Sequence, residues 1–190
     1  LLISASVYFL FSWRSTLKTK DGVLKLRLSL IFLGLAVFHH HTSILIFPAY
    51  LYFIYLNKKD YFKKKIQLLY LAAFFLLGFL PYIYIPFAAF RKTPINWDYA
   101  VNLHNFLRLL FRLDYGTFTS STFLTNATLK NRLIESVHYF FFLKADFGYL
   151  GLFLIFLGLV YLFVKDKTLF YFIVLVELFT GPFFLFYAVF

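Results

Sequence analysis

Neither cysteine nor methionine occurs anywhere in the 190 residues. Without cysteine there is no disulfide framework and no thiolate metal site. Charge is scarce too: 14% of residues carry one, where soluble domains carry about 25%. Apolar residues fill the space, at 62% of the chain with 25% aromatic. That balance excludes a soluble enzyme, a disordered tail and a disulfide scaffold. The charges present are lopsided, 19 basic against 8 acidic. In a soluble protein the excess would point to nucleic acid. Here the basic residues fall between long apolar runs, which makes them a topology signal and argues against a nucleic-acid partner. Position 1 is Leu, and both ends lie in apolar sequence. The chain therefore reads as a piece of a longer membrane protein.

A crossing of roughly 30 Å of hydrocarbon takes about 20 apolar residues. Leu1–Trp13 reads as the tail of a span. Leu28–Leu56 holds no charge apart from histidines, and Ile66–Phe90 is uncharged, with Pro81 and Pro86 expected to kink or end its helix. Phe147–Val164 is a minimal span, and Thr168–Phe190 is long enough to cross with Glu177 as its one charge. Segments 14–27 and 57–65 are short and strongly basic, so both are expected on the cytoplasmic side. Segment 91–146 then becomes an outer, partly helical loop.

If both flanks of Leu28–Leu56 are cytoplasmic, the stretch enters and returns. Its 29 residues are too few for two full crossings at about 1.5 Å per residue. The expected membrane segments are thus 1–13, 23–38, 43–56, 66–90, 147–164 and 168–190. The turn of the hairpin, His39-His40-His41-Thr42-Ser43, would lie below the outer surface, lining a protein or water-filled cavity. The alternative is one tilted span of the whole stretch.

Polar groups in these places are few. Adjacent histidines point apart on a helix, whereas metal binding favours i, i+4 spacing, so no metal is assigned. Imidazoles in a cavity-facing turn can donate to a lipid phosphate, or the turn is polar and self-satisfied. His104, Arg108 and Arg112 recur every four residues on one helical face, with Leu103, Phe106, Leu107, Leu110 and Phe111 forming a broad apolar side. That is the pattern of a helix lying in the membrane interface. Its basic face suits a lipid-linked phosphate or ordinary headgroups. Asp98, Asp114, Glu135 and Asp146 are the outer carboxylates, any of which could act as a base. Glu177 is a functional candidate by virtue of lying in an apolar run. Asn126-Ala127-Thr128 fits a glycosylation acceptor.

Three blocks carry a likeness to a known family: GLAVFHHHTSILIFP from Gly34 to Pro48, the stretch from Gly78 to Phe118 containing GFLPYIYIPFAAF, PINWD and NFLRLLFRLDYGTF, and LFTGPFFLFY from Leu178 to Tyr187. Together they resemble domain-of-unknown-function family 2723, which includes transmembrane protein-260-type O-mannosyltransferases. The resemblance implies an all-α polytopic membrane protein, with a type-C glycosyltransferase-like transmembrane bundle. It implies that His40, His41, Thr42, Asn96, Trp97, Arg112 and Tyr115 contact substrate, with Asp98 and Gly116 in the same pattern, and the basic helix face adds Arg108 to the expected phosphate contacts. Where many members read Asn-Trp-Gly-Asp-Pro, this chain reads Asn96-Trp97-Asp98-Tyr99-Ala100. Asp98 is the catalytic candidate within the chain. The main acidic residue of such enzymes follows their first span, so it is expected outside this sequence, and the piece alone is expected to be inactive.

The implied activity moves a sugar, mannose by the resemblance, from a polyprenyl or dolichyl phosphate to a protein or glycan hydroxyl. It needs no cofactor, and its partners are the lipid-linked donor, the acceptor and membrane lipids. Its site would face the periplasm, exterior or lumen from a bacterial inner membrane or an ER membrane. A lipid-linked-sugar flippase, a transporter or a structural membrane subunit remains the rival reading.

Overall fold

The computed structural model describes residues 1–17, 19–91, 97–111, 113 and 128–188. Among these, every regular element is helical: α1 (Leu2–Ser15), α2 (Lys20–His39), α3 (Phe47–Asn57), α4 (Lys65–Leu77), α5 (Tyr84–Phe90), α6 (Leu103–Phe111), α7 (Leu129–Lys165), α8 (Lys167–Thr180) and α9 (Pro182–Ala188). Short 3₁₀ stretches at His41–Ile46, Lys59–Phe62, Leu80–Ile83 and Trp97–Tyr99 join them. α2, α7 and the α8–α9 stretch Lys167–Tyr187 are each long and apolar enough to cross a bilayer, and α4 with α5, bent by 55°, passes the same test as a pair. This is an all-helical membrane protein.

The chain divides into two compact units, one of Leu1–Ile44 with Asn57–Phe111, the other of Leu45–Leu56 with the chain beyond Phe111. In the first unit, α1 and α2 form a helical hairpin whose core is Leu10, Trp13, Leu26, Leu30 and Leu33. Two fully buried serines join its arms. Ser6 Oγ donates to the Ser29 carbonyl at 2.7 Å, and Ser29 Oγ donates to the Ser6 carbonyl at 2.9 Å. Small residues that let helices approach, with hydroxyls bonding across, are how helices associate where burial of apolar surface gives no driving force.

α2 and α4 run parallel. Arg27 lies over Tyr70, Gly34 meets Gly78 and Phe38 meets Tyr82, so the numbering rises together along the contact. At the crossing, a Cβ on Gly78 would fall 2.5 Å from the backbone of Gly34 and Leu35. Only glycine permits that approach. The basic segments 14–27 and 57–65 precede or begin these two parallel helices, so both lie at one end of the unit. The chain leaves the unit just after the end of α2 and re-enters at the opposite end, before α4.

The second unit packs α3 on α8, with Phe172 edge-on to Tyr50 at 5.8 Å and to Phe53 at 5.3 Å between centroids. The first half of α7 runs antiparallel to α8 and α9. Tyr139 donates a hydrogen bond to Glu177, and Arg132 donates to the Phe186 carbonyl at 3.0 Å. Most large side chains from Tyr149 to Val164 are exposed, an apolar surface suited to lipid.

Two expectations need correcting. The first arm of the histidine hairpin is a longer helix than the expected 23–38. α2 begins at Lys20, where Thr19 Oγ1 accepts the Gly22 N–H at 3.1 Å, and its twenty residues rise about 30 Å. Of the basic residues counted as a flank, Lys20, Lys25 and Arg27 lie in the first turns of this helix, and Arg14 lies in α1. Nor does the outer segment run unbroken to residue 146. α7 starts at Leu129 behind Thr128, whose hydroxyl accepts the Asn131 N–H at 3.3 Å, and continues through a break at Gly148 (φ 62). Scattered charges at Lys130, Arg132, Glu135, Lys144 and Asp146 hid this helix from a reading based on apolar run length.

Candidate functional site

The histidine turn follows from the way α2 ends. His40 leaves the helix in an extended conformation (φ −147, ψ 109), its N–H still bonded to the Ala36 carbonyl at 2.8 Å. Ser43 N–H then closes on the His40 carbonyl at 2.9 Å, and the 3₁₀ stretch begins. The two neighbouring imidazoles consequently take different partners. His40 Nδ1 shares a hydrogen bond with Thr42 Oγ1 at 2.6 Å, while His41 Nε2 shares one with the Tyr82 hydroxyl at 3.1 Å. His39 and His40 are exposed, and His41, Thr42 and Ser43 are half-buried. No group of three metal-ligating side chains occurs among the described residues.

Tyr82 owes its place to the prolines. α4 stops at Leu77, and Pro81 sits at the start of the 3₁₀ turn, where its missing N–H costs nothing. This break carries Tyr82 to the end of α2. There it is 8% exposed, edge-on to Phe38 at 4.6 Å and stacked with Phe79 at 6.0 Å. Phe106 of α6 meets the same ring at 6.4 Å. Tyr82 thus gathers the histidine turn, the bent pair α4–α5 and the amphipathic helix α6 into one cluster. Sequence reasoning missed it. Its one signal was a phenol in an apolar proline-rich run, since a buried tyrosine hydroxyl needs a partner.

α6 keeps the expected two faces. His104 and Arg108 are exposed, Phe106, Leu107 and Leu110 are half-buried, and Leu103 and Phe111 remain exposed. Asn102 caps the helix by accepting the Asn105 N–H at 2.8 Å, and Asn105 Nδ2 donates to the Tyr99 carbonyl at 2.9 Å. These bonds tie α6 to the short 3₁₀ stretch at Trp97–Tyr99. Within that stretch Asp98 (φ 56) and Tyr99 (φ 45) take left-handed conformations, which favour glycine. Asp98 is half-buried and has no hydrogen bond or ion pair with another described residue.

Of the expected site residues, His40, His41 and Thr42 form the turn, and His41 reaches Tyr82. Arg108 and Asp98 belong to the same unit. Trp97 opens the 3₁₀ stretch before α6. Asn96, Arg112 and Tyr115 lie outside the described residues, as do Gly116, Asp114 and Asn126. Glu135 pairs with His138 at 3.2 Å in the second unit.

The groups brought together here are the imidazole of His41 and the phenol of Tyr82, with α6 joined to them through Phe106. Imidazole and phenol can hydrogen-bond an anionic group. No protein-family model, curated protein or solved structure matches this chain.

Proposed function

We propose that this protein is a type-C membrane glycosyltransferase, similar to domain-of-unknown-function family 2723. It would transfer a sugar, mannose by that likeness, from a polyprenyl or dolichyl phosphate to a protein or glycan hydroxyl. The observation that carries the reading is the His41–Tyr82 bond. It joins two separate sequence blocks, Gly34–Pro48 and Gly78–Phe118, on which the family resemblance rests. A further feature supports it. The cluster also lies at the opposite end of the first unit from the basic segments, which the positive-inside rule would set toward the cytoplasm. The site would then open on the non-cytoplasmic side.

In the proposed inverting reaction, the acceptor hydroxyl oxygen attacks the anomeric carbon from the face opposite the phosphate. Its proton passes to a carboxylate, for which Asp98 is the candidate within this chain. The bond between the anomeric carbon and the phosphate oxygen breaks, and polyprenyl phosphate leaves. His40, His41 and Arg108, together with Arg112, would stabilise the charge growing on that phosphate. Thr42, Asn96, Trp97 and Tyr115 would hold the sugar and orient the turn.

Membranes containing the full-length protein, given labelled polyprenyl-phosphate mannose and an acceptor, test the reading directly. Label in the acceptor supports transfer. Label that only changes leaflet overturns it in favour of a flippase, and label that does neither leaves the structural-subunit reading.

A further inference from the structure

At the other end of the first unit, where the basic segments lie, α2 and α4 enclose a cavity of about 40 Å³. Arg27, Tyr61, Gln67, Tyr70 and Phe74 are among the residues lining it. Two buried polar atoms there, Arg27 Nε and Gln67 Oε1, have no hydrogen-bond partner among the described residues. The guanidinium is nonetheless fixed, its carbon 5.1 Å from the centroid of Tyr70 and 5.0 Å from that of Phe74. No carboxylate of the basic segments is available to it. Asp21 is engaged by Lys25 at 2.7 Å and Asp60 by Lys63 at 2.8 Å, and these are the two acidic residues in segments 14–27 and 57–65.

A guanidinium resting against the Tyr70–Phe74 ring pair, with its buried Nε–H unanswered among the described residues, is costly to leave without an acceptor. The second orphan complements the first, for Nε–H needs an acceptor and Oε1 needs a donor. A phosphate with a hydroxyl, its own or one beside it, answers both atoms at once. About 40 Å³ admits a phosphate oxygen together with a hydroxyl or water, each water needing about 10–15 Å³, but not an entire head group. The remainder of such a ligand must stay at the mouth. Ile66, Leu68 and Leu69 flank Gln67 on α4 and are exposed, an apolar surface for acyl chains. Lys58, Lys59, Lys63, Lys64 and Lys65 crowd the segment just before them. Basic pockets between membrane helices on the side of the basic loops are suited to anionic lipids.

We propose that Arg27 and Gln67 form a binding site for the head group of an anionic, hydroxyl-bearing phospholipid in the leaflet that the basic segments face. A phosphate oxygen accepts from Arg27 Nε–H, and a head-group hydroxyl, directly or through one water, donates to Gln67 Oε1. The site is independent of the transfer reaction proposed above.

The test takes the full-length protein in mixed micelles holding equal phosphatidylglycerol and phosphatidylcholine and counts retained lipids by native mass spectrometry. Phosphatidylglycerol should be favoured roughly tenfold, the worth of one hydrogen bond to a charged group. Arg27→Gln should remove most of that preference. Arg27→Lys keeps the charge and the packing stem but lacks the inner N–H, so it serves as the variant that folds and should still lose several-fold. Millimolar inorganic phosphate should not displace the lipid. No preference in the wild type, the same preference in wild type and Arg27→Lys, or displacement by inorganic phosphate would each overturn the proposal, the last in favour of a free-phosphate site.

Discussion

His41 and Tyr82, 41 positions apart, meet through a hydrogen bond of 3.1 Å between imidazole Nε2 and phenol hydroxyl. One partner follows the last turn of α2, and the other sits in the proline-bearing break between α4 and α5. The bond couples a turn of polar backbone to a bend in a membrane helix, and neither feature explains its own position without the other.

Tyr82→Phe removes the hydroxyl and leaves the ring packing on Phe38, Phe79 and Phe106 intact. We expect a loss of about 1 kcal/mol of stability, typical of an interhelical hydrogen bond in a membrane protein. A double-mutant cycle with His41→Gln, read by thermal unfolding in detergent, should give a coupling of roughly 0.6 kcal/mol or more. Strictly additive effects would show that the bond contributes nothing.

Gly78→Ala places a Cβ 2.5 Å from the Gly34 carbonyl carbon and the Leu35 nitrogen. Those are backbone atoms in the middle of a helix and cannot move aside as a side chain could. The expected cost is about 1–3 kcal/mol, the range for overpacked cores. Gly158→Ala is the control, since nothing lies within 4 Å of a Cβ there. Equal melting of the two variants would rule out the close crossing of α2 and α4.

Asp98→Gly separates strain from chemistry. Glycine adopts φ 56 freely, so the variant should gain about 1 kcal/mol in stability. If Asp98 accepts the acceptor's proton, transfer should fall by roughly 100-fold or more. A variant both more stable and fully active would remove Asp98 from the mechanism.

The Asp60–Lys63 pair makes stability depend on pH in a defined direction. The hydrogen bond and charge of Lys63, aided by Lys58 and Lys64, hold the Asp60 carboxyl below its ordinary value. Its contribution is therefore present above the usual carboxylate range and lost as pH falls through the lowered value. Lys63 is raised by the same bond, so its share is lost only as pH climbs past the ordinary lysine range. Wild type should melt slightly above Asp60→Asn at pH 6 and together with it at pH 2, and the gap should close in high salt because both side chains are exposed. A gap that widens on acidification would contradict the assignment.

Much of the helical layout was legible in the chain. The apolar runs at 66–90 and 168–190 correspond to α4–α5 and α8–α9, and Pro81 falls in the break between α4 and α5, whereas Pro86 lies in the first turn of α5. Legibility failed where charge and helix coincide. Lys20 and Lys25 looked like a flank but form the first turns of α2. The mixed residues 129–146 looked like a loop but form half of α7. Run length measures fitness for lipid, and a helix needs no such fitness outside the hydrocarbon or against protein.

Composition alone determined that this is a helical membrane protein, because a chain so apolar and so poor in charge has no stable state exposed to water. Spacing alone determined that a polar turn interrupts one apolar run and that His104 and Arg108 share a helix face. Only the tertiary structure decided that α2 and α4 lie parallel at a glycine contact, that His41 finds Tyr82, and that Arg27 rests against two rings with no acceptor for its Nε–H among the described residues. Each of those pairings joins residues about forty positions apart. Local preference fixes what a segment becomes, but which distant segment covers it depends on whether two backbones can approach, and that is settled only when both are folded.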